Sequence, residues 1–185
     1  AVAGPGGKEM GNEFNSLMTA AHAGLELGYP PVIDLGPQLT LEQLMNSMQN
    51  TMKLHQGGPV WLFAYGSLIW RPECSAVERQ RGRVHGYHRG LYLWSHEHRG
   101  TPELPGLVFG LDRGGSCSGF AYRLPEDCLQ ESLLALWQRE MPYPSYRPHW
   151  LSCRLEDGTR VRALGFVLER HLPKIGRASC RERVS

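Results

Sequence analysis

The segment Val60-Trp-Leu-Phe-Ala-Tyr-Gly-Ser67 is a short, nearly continuous apolar run that stops at a glycine. A run of this length, bounded in this way, is typical of a strand that is buried on both faces. Gly66 can adopt the backbone angles that a tight turn requires, because it has no Cβ atom. The segment therefore predicts a buried strand that leads directly into a tight turn.

Upstream of this strand, Thr40–His55 has the pattern of an amphipathic helix. Thr40 and Gln43 have the spacing of a capping box, and leucines and methionines follow at helical intervals. Gly57-Gly-Pro59 ends the helix. Methionines at this spacing are typical of core packing, so we expect a packed face rather than a partner-binding one.

Downstream, the pattern is mostly that of strands. We predict strands at Gly90–Ser95, Leu107–Leu111, Gly119–Leu124, Trp150–Leu155 and Val161–Leu168. Glu156-Asp-Gly158 predicts a hairpin turn between the last two. One helix interrupts the strands: an apolar stripe that begins at Leu129 indicates it, and the prolines from Pro142 onwards end it. The chain is therefore predicted to be a strand-rich α+β protein.

Glu140 lies on the same helical stripe as four apolar residues, Leu129, Leu133, Leu136 and Trp137. A carboxylate aimed at apolar surroundings, at a helix C-terminus, is expected to have a raised pKa. A pKa near neutrality suits a group that accepts and then releases a proton. The alternative is that Arg139 or another cation simply neutralises Glu140, or that its side chain reaches solvent at a frayed helix end.

Tyr65-Gly-Ser-Leu68 follows the buried strand, so successive backbone N–H groups can point toward an anion there. Ser67 adds a hydroxyl donor. The alternative is an ordinary turn. The sequence around Ser67 is not G-x-S-x-G, so a serine-hydrolase nucleophile elbow is not indicated.

The charge balance argues against polyanionic partners. Residues 175–185 resemble a translated sequencing adapter, and we leave them out of the fold reasoning. Without Arg177, Arg181, Arg183 and Glu182, the balance of 20 cations against 18 anions becomes 17 against 17. A neutral chain lacks the electrostatic footprint of a nucleic-acid or anionic-membrane protein.

No apolar segment approaches the ~20 residues that span a bilayer, and Phe14–Leu27 lacks the basic flank of a signal peptide, so we expect a cytoplasmic protein.

Cysteine and histidine spacing does not predict a cofactor. Four cysteines precede residue 175 without a C-x-x-C pair, which favours free thiols and speaks against a structural zinc site. His85, His88, His96 and His98 invite a metal interpretation, but no carboxylate or cysteine spacing completes a site. No glycine cluster has a phosphate-binding fingerprint. We therefore expect no metal and no cofactor.

Four ordered segments carry a resemblance to a known family. Pro59–Trp70, His98–Gly100, Gly119–Pro125 and Leu136–Met141 look like the corresponding segments of the bacterial ChaC family, and the similarity spans roughly residues 59–173. The resemblance implies a γ-glutamylcyclotransferase-like fold, a small mixed β-barrel with flanking helices. It also implies a small-molecule substrate, glutathione, which is converted to 5-oxoproline and cysteinylglycine.

The family's site residues transfer to matching positions. The resemblance implies that Glu140 is the acid/base and that Ala64, Tyr65, Gly66, Ser67, Leu68 and Ile69 form the substrate-binding loop. Tyr146 is similar to a tyrosine that lines the family pocket. Neither the resemblance nor the residues indicate an oligomeric state.

The resemblance suggests a division of the chain at residues 56 and 174. We expect an N-terminal extension with one amphipathic helix at 1–56 and a ChaC-like domain at 57–174 that lacks C-terminal structure normal for the family. Met141–Tyr146 is richer in proline than the family's loop, which bears on pocket shape. Two alternatives remain: a cyclotransferase for other γ-glutamyl amines or amino acids, and a non-catalytic regulator of cation transport.

Overall fold

The computed structural model of the chain describes residues 36–95 and 106–169. Some of the sequence-based predictions concern residues outside these two ranges. They concern the absence of a signal peptide at Phe14–Leu27, the pair His96 and His98, and the adapter-like residues 175–185. The division into an extension and a domain likewise stays a prediction.

The buried strand is confirmed as β1, Trp61–Ala64, and all four of its residues are buried. It is followed by a single 3₁₀ turn, Ser67–Ile69, as the glycine predicted. β1 pairs antiparallel with one neighbour, β3 (Gly106–Arg123), and parallel with the other, β5 (Arg160–Leu168). Burial on both faces explains the continuous apolar run, since neither face reaches water.

The five described strands form a closed barrel in the order β1-β3-β2-β4-β5. β2 is Glu78–Ser95, and β4 is Tyr146–Leu155. Every pairing is antiparallel except that of β1 with β5. The mixed barrel is therefore confirmed. Closure leaves no free sheet edge in the barrel, which suits a small sheet whose inner side must be filled by side chains.

The lengths of β2 and β3 differ from the predicted ones. The predicted strands Leu107–Leu111 and Gly119–Leu124 are parts of the single strand β3, and Gly90–Ser95 is only the end of β2. The intervening residues are rich in glycine and arginine, so they carry no apolar strand signal. They are nevertheless paired residue by residue between the neighbouring strands β2 and β3, and the register shifts near Tyr87 and near Leu93. Long-range pairing here overrides weak local propensity.

Two helices flank the barrel, as predicted. α1, Leu41–Met52, begins with the expected capping box of Thr40 and Gln43. α2, Leu129–Glu140, ends one residue before the proline-rich segment. The two helices are joined by a hydrogen bond of 3.1 Å from the Trp137 indole to the Ser47 hydroxyl. The apolar face of α1 is packed only in part, because Leu44 and Met48 are buried while Leu41 and Met45 are exposed.

The predicted hairpin turn at Glu156–Gly158 joins β4 to β5 and is confirmed. Gly158 has a φ of 89°, a conformation that favours glycine. The turn is closed by a hydrogen bond of 3.0 Å from the Gly158 N–H to the Leu155 carbonyl. This hairpin fixes the register between β4 and β5. Tyr146 of β4 and Phe166 of β5 therefore lie near the same end of the barrel.

Candidate active site

A cavity of about 590 Å³ opens where four parts of the fold meet. They are the turn after β1, the start of β3, the end of α2 and the start of β4. This volume falls in the range of small-molecule sites. The cavity is lined by Tyr65, Gly66, Ser67, Leu68, Trp70, Arg71, Leu107, Val108, Phe109, Arg139, Glu140 and Tyr146.

Glu140 is the last residue of α2, and its side chain is 13% exposed. Leu133, Leu136 and Trp137 on the same stripe are fully buried, so the predicted orientation of the helix is correct. The Nε atom of Arg139 lies 3.3 Å from Oε1 of Glu140. Burial raises the pKa of Glu140 to about 6, and the nearby Arg139 opposes this rise without cancelling it. The pKa is thus raised as predicted, although Arg139, the cation of the alternative interpretation, lies beside the carboxylate.

Two tyrosines complete the wall beside Glu140. The Tyr65 hydroxyl donates a 2.7 Å hydrogen bond to the Phe166 carbonyl, and the Tyr146 hydroxyl donates a 3.1 Å bond to the Phe109 carbonyl. Burial raises the pKa of both phenols, and the negative charge of Glu140 raises each further. Both hydroxyls therefore stay protonated and neutral over the pH range in which Glu140 titrates.

The turn after β1 is held from two sides. The Tyr122 hydroxyl donates a 2.8 Å hydrogen bond to the Ile69 carbonyl, and the Arg89 guanidinium donates one of 2.8 Å to the Tyr65 carbonyl. Gly66 is buried and Ser67 is exposed. The 3₁₀ turn has no side-chain cap at its start, so the N–H groups of its first residues are not used by a cap. The turn can thus present backbone donors to the cavity.

The structure brings most of the predicted site residues together. Tyr65, Gly66, Ser67, Leu68, Glu140 and Tyr146 all line the cavity. Ala64 and Ile69 are not among the lining residues. Ala64 belongs to the core cluster that packs against α2, whereas Tyr65 belongs to the cluster on the other side, because successive strand residues point to opposite faces. Ile69 contributes its carbonyl to the anchoring of the turn instead.

Several cavity residues were not predicted. Leu107, Val108 and Phe109 come from the start of β3. Arg89, which holds the turn from β2 without lining the cavity, was not predicted either. Their positions depend on strand register, for which the local sequence carries no signal. Trp70 and Arg71 directly follow the predicted loop in the sequence. Their position in the cavity lining could therefore have been predicted from that neighbourhood.

The described histidines do not gather around a metal. His88 is engaged through Nδ1 with the Gly114 carbonyl at 3.0 Å and through Nε2 with the Tyr92 hydroxyl at 2.6 Å. Across residues 36–95 and 106–169, no group of three or more histidine, cysteine or acidic residues is placed to hold a metal ion. Cys74, Cys117, Cys128 and Cys153 are free thiols. In the same two ranges, no helix is both long and apolar enough to cross a membrane.

Two curated proteins illustrate what this chain is similar to. The glutathione-specific gamma-glutamylcyclotransferase of Escherichia coli K12 is 42% identical over 117 residues, which cover 63% of this chain and 51% of the relative. The human glutathione-specific gamma-glutamylcyclotransferase 1 is 35% identical over 112 residues, 58% of this chain and 50% of the relative. The chain thus spans about half the length of these curated relatives.

A solved structure has the same fold. The crystal structure of a γ-glutamyl cyclotransferase specific to glutathione from yeast matches with a TM-score of 0.57 at 20% identity, and the match covers 64% of this chain and 72% of the yeast chain. The predicted γ-glutamylcyclotransferase-like fold is therefore confirmed. The sequence profile of the family described as ChaC-like protein matches residues 60–174, which is more than half of the chain. The chain belongs to the ChaC-like family.

Proposed function

We propose that this chain carries the active site of a glutathione-specific γ-glutamylcyclotransferase, a carbon–nitrogen lyase that converts glutathione to 5-oxoproline and cysteinylglycine. The observation that carries the proposal is the carboxylate of Glu140, which has a pKa raised to about 6 and lies in the cavity of a ChaC-like fold. A carboxylate with that pKa can take up and return a proton near neutral pH. The names of the E. coli and human relatives support glutathione as the substrate.

The reaction needs no protein nucleophile, because the nucleophile belongs to the substrate. The α-amine of the γ-glutamyl group attacks its own γ-carbonyl carbon. The new C–N bond closes a five-membered lactam, and the amide bond to cysteine breaks. Holding the substrate folded for this attack can contribute about 7–11 kcal/mol in favourable cases. The shape of the cavity is therefore as important to the proposal as its one carboxylate.

Glu140 moves the proton in both directions. It takes a proton from the α-ammonium, which frees the amine for attack, and it returns a proton to the nitrogen of the departing cysteinylglycine. Between the ammonium and the lactam N–H the α-nitrogen gives up two protons, and between the amide N–H and the ammonium of cysteinylglycine the cysteine nitrogen gains two. The proton balance therefore closes within one turnover when Glu140 carries the two protons in turn. The low exposure of Glu140, 13%, keeps this exchange away from bulk water.

The turn after β1 binds the charged parts of the γ-glutamyl group in this proposal. Backbone N–H groups around Gly66 and Ser67 hold the α-carboxylate or the oxyanion that develops on the γ-carbonyl oxygen. Tyr65 and Tyr146 add two neutral hydroxyls beside Glu140. Burial of the β1 strand supports this role, because a turn that leaves a rigid strand keeps its donors in place.

The charge balance of residues 1–174, with 17 cations against 17 anions, and the small cavity are the basis for the remaining parts of the proposal. The partner is a small molecule rather than a nucleic acid or a membrane, and the protein works in the cytoplasm, where glutathione is abundant and thiols stay reduced. Cys117 and Cys153, which are buried free thiols, are consistent with such a compartment.

The test is incubation of the purified protein with reduced glutathione, with 5-oxoproline and cysteinylglycine measured together. We expect equimolar products, and a loss of at least about a thousandfold in Glu140→Gln, since the amide cannot exchange the proton. Glu131→Gln removes a carboxylate at the exposed start of the same helix and serves as the matched control. Parent-like turnover in a folded Glu140→Gln variant would assign the proton transfer to another group.

A second assay, which compares the turnover of two substrates, tests the substrate range. Glutathione and γ-glutamyl-alanine share the γ-glutamyl half and differ in the leaving amine. A much higher kcat/KM for glutathione is expected. Equal values, or turnover of γ-glutamyl-alanine alone, would favour the broader γ-glutamyl cyclotransferase. A folded protein that processes neither compound would favour a regulatory role.

A further inference from the structure

Arg139 is held between two carboxylates. Its Nε lies 3.3 Å from Oε1 of Glu140, and its Nη1 donates both to the Glu73 carboxylate and to the backbone carbonyl of Arg71. The Arg139 side chain is 23% exposed and that of Glu73 is 35% exposed. A guanidinium is planar and fixes the angles between its acceptors. Arg139 therefore links the end of α2 to the segment that follows the substrate-binding turn.

Glu73 has an unusual backbone conformation. Its φ is 56°, and among residues 36–95 and 106–169 it is the only residue other than glycine with a positive φ. A residue with a Cβ atom rarely adopts this conformation unless its surroundings hold it there. The bonds from Arg139 to the Glu73 carboxylate and to the Arg71 carbonyl are contacts of that kind, two residues apart in the same segment. The Arg71–Glu73 segment is thus wrapped around Arg139.

We infer that Arg139 and Glu73 are positioning residues for Glu140: Arg139 orients the Glu140 carboxylate toward the cavity, and Glu73 offsets the charge of Arg139. The inference deepens the proposed function and rests on it for its catalytic meaning. The effect of the two residues on the pKa of Glu140 can be measured without any turnover. Arg139 alone would favour a permanently ionised Glu140, and Glu73 is placed to counter that effect.

The directions of the electrostatic effects agree with this arrangement. Burial raises the pKa of Glu140, Arg139 lowers it, and Glu73 raises it. The other groups that face Glu140 are the hydroxyls of Tyr65, beyond β1, and Tyr146, at the start of β4, while Arg71 lines the same cavity. Both phenols stay neutral because burial raises their pKa. Arg139 and Glu73 are therefore the neighbouring charges whose removal should move the titration of Glu140.

The direct test is a ¹³C NMR titration of the Glu140 carboxyl in protein labelled at the glutamate side-chain carboxyl carbon. The signal is assigned by its loss in Glu140→Gln. Glu73→Gln should lower the pKa of Glu140 by about one pH unit, and Arg139→Met should raise it by a similar amount. Glu131→Gln and Arg160→Met remove exposed charges of the same kinds elsewhere and should leave it unchanged. Unaltered titration in both test variants, or movement in the same direction, would overturn the inference.

A second measurement separates orientation from charge. Arg139→Lys keeps the positive charge but loses the planar fork. We expect its Glu140 titration to stay close to that of the parent, while kcat for 5-oxoproline release falls about tenfold at little change in KM. A parent-like kcat in Arg139→Lys would contradict the orienting role. If the parent protein itself releases no 5-oxoproline, the proposed function fails, and the NMR titration still decides whether Glu73 and Arg139 set the state of Glu140.

Discussion

The guanidinium of Arg89 donates a 2.8 Å hydrogen bond to the backbone carbonyl of Tyr65. Arg89 lies in β2 and Tyr65 follows β1, and these two strands are separated in the barrel by β3. The bond passes close to Phe109 of β3, whose ring centre is 5.0 Å from the Arg89 guanidinium carbon. Phe109 is itself part of the cavity wall. Arg89 therefore ties the turn after β1 to β2, beside Phe109.

Replacement of Arg89 by methionine should weaken catalysis more than stability. Loss of the part-buried bond to Tyr65 frees the turn, and we expect kcat/KM for glutathione to fall about tenfold, since a hydrogen bond to a charged group contributes about 1.5 kcal/mol or more. Steady-state kinetics measure the change. Arg83→Met is the matched control, because Arg83 is an exposed arginine of the same strand whose guanidinium donates a 2.7 Å hydrogen bond to the Ser116 hydroxyl. Equal losses in the two variants would contradict a specific role for Arg89.

The rate should depend on pH through Glu140. Glu140 must begin as a carboxylate to accept the proton of the α-ammonium, and its pKa is raised to about 6. We expect the rate to fall about tenfold for each pH unit below pH 6. Initial rates of 5-oxoproline release between about pH 4.5 and 8 measure this limb. A rate that stays constant down to pH 5 would show that a different group, or a much more acidic Glu140, carries the proton.

The raised pKa of Glu140 should also make the free energy of unfolding depend on pH. The pKa of Glu140 is raised from 4.5 in the unfolded reference to about 6 in the folded protein, so the folded state binds more protons in this window. The contribution of Glu140 to stability is therefore complete below pH 4.5 and is lost as the pH rises through 6. The neutral Glu140→Gln side chain avoids this loss and should be more stable than the parent at pH 8, by at most about 2 kcal/mol.

Urea unfolding of the parent and of Glu140→Gln, at pH 4.5 and at pH 8, measures the difference. We expect the gain at pH 8 to shrink toward zero at pH 4.5. A variant that is less stable than the parent at pH 8 would mean that the ion pair with Arg139 stabilises the ionised carboxylate more than burial disfavours it.

Replacement of Gly66 by valine should abolish activity while the fold persists. A Cβ atom at Gly66 would lie 3.7 Å from the Phe109 Cβ, which is ordinary contact, but the branched methyl groups of valine would add bulk beside Phe109 in the cavity lining. The donors of the turn would then be displaced or covered. Turnover of glutathione and far-UV circular dichroism test both halves of the prediction. Unchanged turnover would remove the turn from the proposed site.

Gly119 should tolerate no side chain at all. A Cβ atom there would lie 2.2 Å from the backbone oxygen of Ala64, so Gly119→Ala must push β1 away from β3. We expect a loss of about 3 kcal/mol in the free energy of unfolding, because the obstructing atom is backbone and cannot rotate aside. Ser118→Ala, at the exposed neighbouring position, is the control. Urea unfolding that gives the same midpoint for both variants would contradict the close approach of the strands.

The sequence by itself determined the local features of this protein. The buried strand β1 with its glycine turn, the capping box of α1, the hairpin at Glu156–Gly158 and the orientation of Glu140 were all predicted from short patterns. Such features depend on backbone freedom and on the 2.0 and 3.6 residue periods, which act over a few residues. They suffice to place a carboxylate on the apolar stripe of a helix and a glycine turn after a buried strand.

Only the tertiary structure decided which groups meet around that carboxylate. Tyr65 bonds to the carbonyl of Phe166, 101 residues away, and Arg139 bonds to Glu73 across 66 residues. The continuous strand β3 and the position of Phe109 at the cavity follow from the register with which the barrel closes. Register belongs to a pair of strands rather than to either strand alone, and a shift by one residue would turn every side chain to the opposite face. No local pattern in either strand fixes it, so the cavity emerges only when the barrel is complete.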